Sequence, residues 1–551
     1  MIIKRLMCLF VLATCTMAAF QMNATGIGVN DAKAVANSFL KSHSTCAPGT
    51  FRAPAAADLR LAHAEASSKV PGTHLYYAFN ANGGGFIIVS GEDLATPVLG
   101  YSDKGQIDFN NLPEALKDLL DIYKEEIEYM QTHEFEVPKQ LNQSFNESSI
   151  VVAPLIKTYW GPEWPYYSQC PVFDGAYSKV GCAGVCMAQM LYFWKFPRSC
   201  EALPAYFGSK VQDTIPALPA TTFEYKTMLL SYCYWDFDSQ STVQDNYTDE
   251  QAYEVAKLCR YVGQMGQMNY SPNGSGLSLK GKLATMKKFG YNSSAVIAKR
   301  DSYTLQGWQE LLKRELNLER PVMYSAKGPG SPYHAFICDG YTDDNYFHMN
   351  LGWYGYNNGW YKITAFSFIN RYGSPRTYSL ESRILVGIEP PLYCTVEGDV
   401  DAPNRLLVLG ETFNAMAHDV DLYTSYRTLP FMFTLTNANG DCVAESQSLT
   451  VRRIDFDFSN EVSLALTLPE TLPEGTYDLH LNYRTSDNAA LTTALTANSR
   501  LTVVGKFAKY GEPFNIGDLT DAIDYLLQHA SQSEYFNIGD VSTLIDYLLS
   551  L

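Results

Sequence analysis

Positive charge is scarce in this 551-residue chain: 41 lysines and arginines stand against 58 aspartates and glutamates, a formal net charge of -17. No basic excess exists to neutralise phosphates, which excludes a nucleic-acid binder and disfavours an anionic membrane surface as partner. Solubility is what such a charge supplies. Long apolar runs are absent after the N-terminus, so no membrane span is expected. Twelve cysteines occur without CxxC pairs or dense spacing, which excludes a disulfide scaffold and a zinc ribbon. No metal and no cofactor is expected. If one of the ten cysteines after Cys15 is a catalytic thiol, the remaining nine cannot all pair; buried free thiols are the ordinary alternative.

What is present begins with an export signal over residues 1–24. Lys4 and Arg5 precede an apolar run from Leu6 to Phe20, and Ala18, Ala19 and Ala24 supply small residues for cleavage. Leu12-Ala13-Thr14-Cys15 offers a lipoprotein signal as an alternative, with Thr14 a poor residue before the cysteine. The predicted location is secreted, cell-surface or periplasmic.

Several domains are expected at this length. Over residues 25–150, helical spacing from Asp31 to Leu40 and the runs Leu75–Phe79 and Phe86–Ser90, joined by Asn82-Gly83-Gly84-Gly85, predict a helix and a hairpin. An amphipathic helix follows over Leu112 to Met130, with Pro113 in its first turn. Thr132 to Ser149 reads as a polar, exposed linker of the kind proteases cut. Residues 151–392 place helices first (Val180–Trp194, Glu250–Val262, Leu305–Leu318). Strands follow at Val322–Tyr324, Ala335–Tyr341, Tyr346–Asn350 and Gly359–Ile363, an α+β arrangement. Short alternating runs over residues 393–505 predict an all-β sandwich. Residues 506–551 hold an internal repeat: Phe514 to Leu526 recurs as Phe536 to Leu548.

The chemistry concentrates in two segments. In Val180-Gly181-Cys182-Ala183-Gly184, a glycine opens a helix and a cysteine occupies its first turn, where amides and dipole favour a thiolate and can hold an oxyanion. In Tyr333-His334-Ala335-Phe336, a histidine starts a buried strand whose hairpin returns to Asn350, an amide suited to orient an imidazole. Each residue has a plainer reading as core thiol, structural histidine or turn cap. Cysteine before histidine before asparagine is by itself a weak pattern.

The motifs around these residues carry a resemblance. Gly181-Cys182, Met187-Ala188-Gln189-Met190 and Phe193-Trp194-Lys195-Phe196-Pro197 resemble the nucleophile segment of the streptopain family of cysteine peptidases. Pro321–Ser325, Tyr333-His334-Ala335-Phe336, Asp339-Gly340 and Asn350-x-Gly352-Trp353 resemble its histidine segment. Ala256-Lys257-Leu258, Tyr270 and Ser275-Gly276 resemble the connecting region, Tyr76 to Met130 the inhibitory propeptide, and Pro154 to Trp160 the start of the mature enzyme.

That resemblance implies a papain-like catalytic domain made as a zymogen, with the propeptide as its own inhibitor and proteins or peptides as substrates. It implies Cys182 as nucleophile, His334 as general acid/base, and Asn350 and Trp353 in the segment that orients and shields the histidine. Two departures stand out. Pro162 occupies the place of the family's oxyanion-donating glutamine, with Gln169 nearby, and Leu351 replaces an indole beside the histidine. Loss of one oxyanion donor typically lowers turnover about 100- to 1000-fold.

Cys186, one turn after Cys182, reads as core packing or as a redox partner. The tail resembles a dockerin, with Asp518 and Asp540 in the final loop position. Phe507, Lys509, His529 and Ser531 stand where acids would be needed, which implies calcium lost and a surface or protein partner kept. Three functions remain open: an endopeptidase, a catalytically impaired homologue that binds peptides or surfaces, and an acyltransferase using the same acyl-enzyme.

Overall fold

The computed structural model describes residues 20–22, 26–43, 59–133, 135–137, 148–236, 241–326, 333–365, 382–401, 406–410, 412–456, 458–473, 475–486, 489–498 and 501–504. The tail repeat and all of the export signal before Phe20 lie outside these residues, as does most of the linker. Two compact units emerge, Met1–Phe193 with Pro197–Ile388 and Trp194–Phe196 with Glu389–Leu551.

Six α-helices occur among the described residues: α1 (Val29–His43), α2 (Glu114–Thr132), α3 (Gly181–Trp194), α4 (Asp249–Met265), α5 (Leu279–Lys288) and α6 (Leu305–Asn317). Side chains at the N-caps set where three of them start. Thr248 and Gln251 form a reciprocal capping box on α4, Ser278 accepts from the Gly281 amide on α5, and Thr304 accepts from the Gly307 amide on α6. Helix α5 is the one that sequence pattern missed. Gly281 sits in its first turn and lysines crowd its ends, so apolar periodicity is weak.

The first unit is organised by one eleven-stranded sheet. Its order runs Val296–Lys299, Arg383–Val386, Val322–Ala326, His334–Thr342, Phe347–Asn350, Gly359–Tyr361, Val98–Ser102, Phe86–Ser90, His74–Ala81, Leu59–Ala66. The N-terminal segment therefore does not stand apart: its strands extend the sheet that carries His334. The seam is the antiparallel pairing of Tyr101 with Trp360 and Gly100 with Tyr361. A Cβ on Gly100 would stand 2.4 Å from Tyr361 Cδ1, so this approach requires glycine. Around the seam, Phe39, Tyr101 and Trp360 share one core cluster with Tyr346. The ring centroid of Tyr101 lies 5.0 Å from that of Phe39 and 4.9 Å from that of Tyr346.

Downstream of the linker the chain is fastened. Ser148 Oγ donates to Asp343 Oδ1 at 2.9 Å and Asp344 Oδ1 at 2.6 Å, and Ser149 Oγ donates to Asp343 Oδ2 at 2.8 Å. Ile150–Val152 then pairs with the strand His334–Thr342.

In the second unit, Cys394–Asp401, Thr412–Thr424 and Asn460–Thr467 form a three-stranded sheet, and seven further strands, including Thr428–Thr436 and Gly475–Tyr483, form another. Inward residues alternate along Asn460–Thr467. Both sheets contribute to a single cluster, with Phe413, Val462 and Leu466 from the first and Phe431, Phe433, Leu479 and Leu481 from the second.

The seam generates a prediction. Gly100→Val should destabilise the full chain by about 1–3 kcal/mol through overpacking against Tyr361. Denaturant melts of the two proteins check this, and equal midpoints would show that the seam is loose.

Candidate active site

Helix α3 presents Cys182 in its first turn because Gly181 turns the chain there. Gly181 has φ +74, and a Cβ on it would lie 2.4 Å from the Ser275 carbonyl oxygen. Ahead of it the Lys179 amide donates to Ser271 O at 3.2 Å. A side chain at Gly181 would thus be strained twice, by conformation and by contact. The unpaired amides of a helix amino terminus surround this position. Cys182 is partly exposed, while Cys186, one turn later, is fully buried and its thiol is pushed up by burial.

Cys182 and His334 line the same cleft of about 500 Å³, together with Pro162, Glu163, Lys179, Leu351, Gly352 and Trp353. Pro113, Glu114 and Ala115, at the start of α2, line it as well. The sheet and α3 therefore bring together three of the four expected site residues, Cys182, His334 and Trp353, and the N-terminal segment contributes part of the wall.

Asn350 is placed differently. It is buried, its Nδ2 donates to Thr158 O at 2.9 Å, its Oδ1 accepts from the Gly352 amide at 3.1 Å, and Gln189 contacts it at 3.4 Å. None of these bonds reaches His334. Asn350 fastens the turn that carries Trp353 to α3 and to the strand-like entry before the cleft. Pro162 stands in the cleft wall without an amide hydrogen to donate, and Gln169 is exposed and outside the lining.

The imidazole has another partner. His334 Nδ1 lies 2.7 Å from Asp118 Oδ2, and Asp118, on α2, is 1% exposed. With its proton on Nδ1 the ring donates to that carboxylate. Sequence reasoning missed Asp118 for a physical reason. On the α2 wheel it falls opposite the stripe of Leu116, Leu119, Leu120, Tyr123 and Ile127, where solvent is expected. It is buried because the strands Val322–Ala326 and His334–Thr342 cover that side of the helix.

The same docking buries Glu126. Its Oε2 accepts from Thr364 Oγ1 at 2.9 Å and from the Ala365 amide at 2.5 Å. Burial raises its carboxyl to about 7 against these two hydrogen bonds. Nearby, Tyr123 Oη donates to Leu99 O at 2.9 Å and also to Lys362 O, bridging the two sides of the seam. Among the described residues, no cluster of three or more His, Cys, Asp or Glu is arranged to hold a metal ion.

Comparison with known proteins finds two family matches along the first unit. Residues 160–361 match the Peptidase C10 family, and residues 24–127 match the Spi protease inhibitor family. The chain is similar to streptopain of Streptococcus pyogenes, 25% identical over 388 residues that cover 65% of this chain and 91% of that protein. It is also similar to thiol protease/hemagglutinin PrtT of Porphyromonas gingivalis, 24% identical over 439 residues. That alignment covers 75% of this chain and 49% of PrtT. Among solved structures, a prointerpain A fragment from Prevotella intermedia shares 26% identity with a TM-score of 0.46, covering 60% of this chain and 99% of the fragment.

Glu126 predicts a pH dependence. A carboxyl raised from 4.5 to about 7 by docking contributes its full stabilisation below the undocked value and loses it as pH rises through about 7. Glu126→Gln keeps an acceptor and cannot ionise. Between pH 5 and 8 the variant should therefore lose less stability than the natural chain, by about 2–3 kcal/mol. Thermal melts across that range test it, and parallel pH curves would contradict the assignment.

Proposed function

We propose, from the match of residues 160–361 to the Peptidase C10 family and of residues 24–127 to the Spi protease inhibitor family, that the chain is a zymogen whose inhibitory segment withholds the base rather than the nucleophile. It is a cysteine peptidase carrying a Spi inhibitor domain. In the proposed mechanism, Cys182 attacks the peptide carbonyl, His334 protonates the departing amine, and the acyl-enzyme is released by water with His334 as base. Backbone amides at the start of α3 hold the oxyanion, since Pro162 cannot. Asn350 and Trp353 set and shield the segment beside the imidazole.

The observation that carries this reading is the Asp118–His334 contact at 2.7 Å, in a cleft that Cys182 also lines. An imidazole held on a buried carboxylate of the inhibitory helix is not available to a thiol. Cleavage in the segment 132–152, followed by departure of α2, frees it.

In this reading residues 1–24 direct export, so that the enzyme is secreted or held at the cell surface or in the periplasm. Residues 25–150 are the propeptide and 151–392 the papain-like peptidase. Residues 393–505 form a β-sandwich, supported by the core that its two sheets share. Residues 506–551 are a dockerin-like attachment module for a surface or protein partner.

Two variants test the latch and the nucleophile together. Asp118→Ala in the uncut chain should raise labelling by a thiol-directed active-site inhibitor at least tenfold, and Cys182→Ala should abolish it. The matured enzyme should cleave an unfolded protein substrate, and loss of His334 should reduce turnover by about 100-fold or more. Equal labelling of the uncut natural chain and Asp118→Ala would remove the latch. Absence of labelling and of cleavage in the matured enzyme would remove the peptidase mechanism.

A further inference from the structure

A row of aromatic rings lies open beside the cleft. Trp164 is 41% exposed, Tyr177 42% and Val172 51%, all with the inhibitory segment in place. Single exposed apolar side chains are ordinary on a protein surface. These are not single. The ring centroids of Trp164 and Tyr167 stand 6.1 Å apart, edge to face, and Tyr167 stacks on Tyr177 at 5.7 Å with 26° between the planes. Val172 sits directly across the ladder from Tyr177, so the two share one face of their hairpin.

Local backbone chemistry fixes the row. Asp174 and Gly175, at φ +50 and +77, make the two-residue turn that joins Val172–Phe173 to Ala176–Tyr177. The Ser178 amide donates to Pro171 O at 2.8 Å and closes the base of the hairpin. From there the chain runs through Lys179 into the first turn of α3. On the opposite flank the Glu163 amide donates to Tyr354 Oη at 2.8 Å, next to Trp353 in the cleft wall. Rings held in this way lose little freedom when a ligand covers them.

The row is continuous with the cleft. Glu163 and Lys179 line the cleft with Cys182 and His334, they pair with each other, and Lys179 Nζ lies 5.1 Å from the centroid of the Tyr167 ring. Because that pair neutralises itself, the route from cleft to rings favours neither sign of charge. What the rings offer is flat apolar area with hydroxyl and indole N–H edges, which suits an aromatic or large apolar side chain on an extended backbone.

We propose that Trp164, Tyr167 and Tyr177 form a specificity-determining extension of the substrate groove. It takes aromatic or large apolar side chains of an extended polypeptide, a few residues away from the scissile bond. This rests on the peptidase reading, since the cleft it prolongs is the one that Cys182 and His334 line. A chain crossing the rings lays roughly three or four residues on them, at about 3.3 Å each. The row stays exposed while the start of α2 lines the cleft, so it is open to polypeptide in the uncut chain as well.

Two measurements test this. In the first, matured enzyme is given a short peptide that fills the cleft and the same peptide lengthened by four residues, at either end, with phenylalanine or with serine. Lengthening with phenylalanine at one end should raise kcat/KM about tenfold over lengthening with serine. In Tyr177→Ser and in Trp164→Ser that ratio should fall to near one. No gain from phenylalanine at either end, or an unchanged ratio in both variants, would overturn the proposal.

The second uses the uncut full chain carrying Cys182→Ala, so that binding is read without turnover. A lengthened peptide with p-benzoylphenylalanine in place of phenylalanine is photo-cross-linked and the adduct mapped by mass analysis. Cross-links should fall within residues 164–177 and be competed by the phenylalanine peptide. Cross-links elsewhere, or competition by an oligosaccharide but not by that peptide, would overturn the proposal. If the natural matured enzyme cleaves none of the peptides, it is the peptidase reading that fails, and the cross-link still decides whether the rings bind polypeptide.

Discussion

The antiparallel ladder between Val98–Ser102 and Gly359–Tyr361 constrains the rest of the first unit. It joins strands of the inhibitory segment to strands of the peptidase, so both share one sheet and one core around Phe39, Tyr101, Tyr346 and Trp360. Helix α2 packs across that junction and is thereby held at one depth and one rotation. Ala115 then reaches the cleft, Asp118 meets His334, Tyr123 bridges Leu99 and Lys362, and Glu126 meets Thr364 and Ala365. Buried backbone and side-chain groups along such a junction need their partners simultaneously. Partial release would strand several at once, which favours departure of the segment as a whole.

The His334 imidazole is occupied by a carboxylate of α2. Cys182 stays partly exposed, and the first turn of α3 is fixed by Gly181 against Ser275. The anchoring of Ser148 and Ser149 on Asp343 and Asp344 keeps Ile150–Val152 on the sheet, beside the strand that carries His334.

Much of this was legible in order along the chain. Helices α2, α3, α4 and α6, the hairpin His74–Ala81 to Phe86–Ser90, and the strands bearing His334 and Asn350 follow from apolar period, caps and turn glycines. Those are properties of residues within a few positions of each other. The places of Cys182 and His334 were legible for a related reason: a glycine before a helix-opening cysteine and a histidine opening a buried strand are local arrangements.

Asp118 was not legible. It is a charged residue whose place on the α2 wheel marks it for solvent, and it is buried by a surface supplied from elsewhere, the strands Val322–Ala326 and His334–Thr342 over α2. Asn350 shows the converse, since proximity in the hairpin suggested His334 as its partner while Thr158 and Gln189 hold it. Periodicity assigns one face of an element to the interior. Which second face is covered depends on packing between segments more than a hundred residues apart, and there the partner of His334 is chosen.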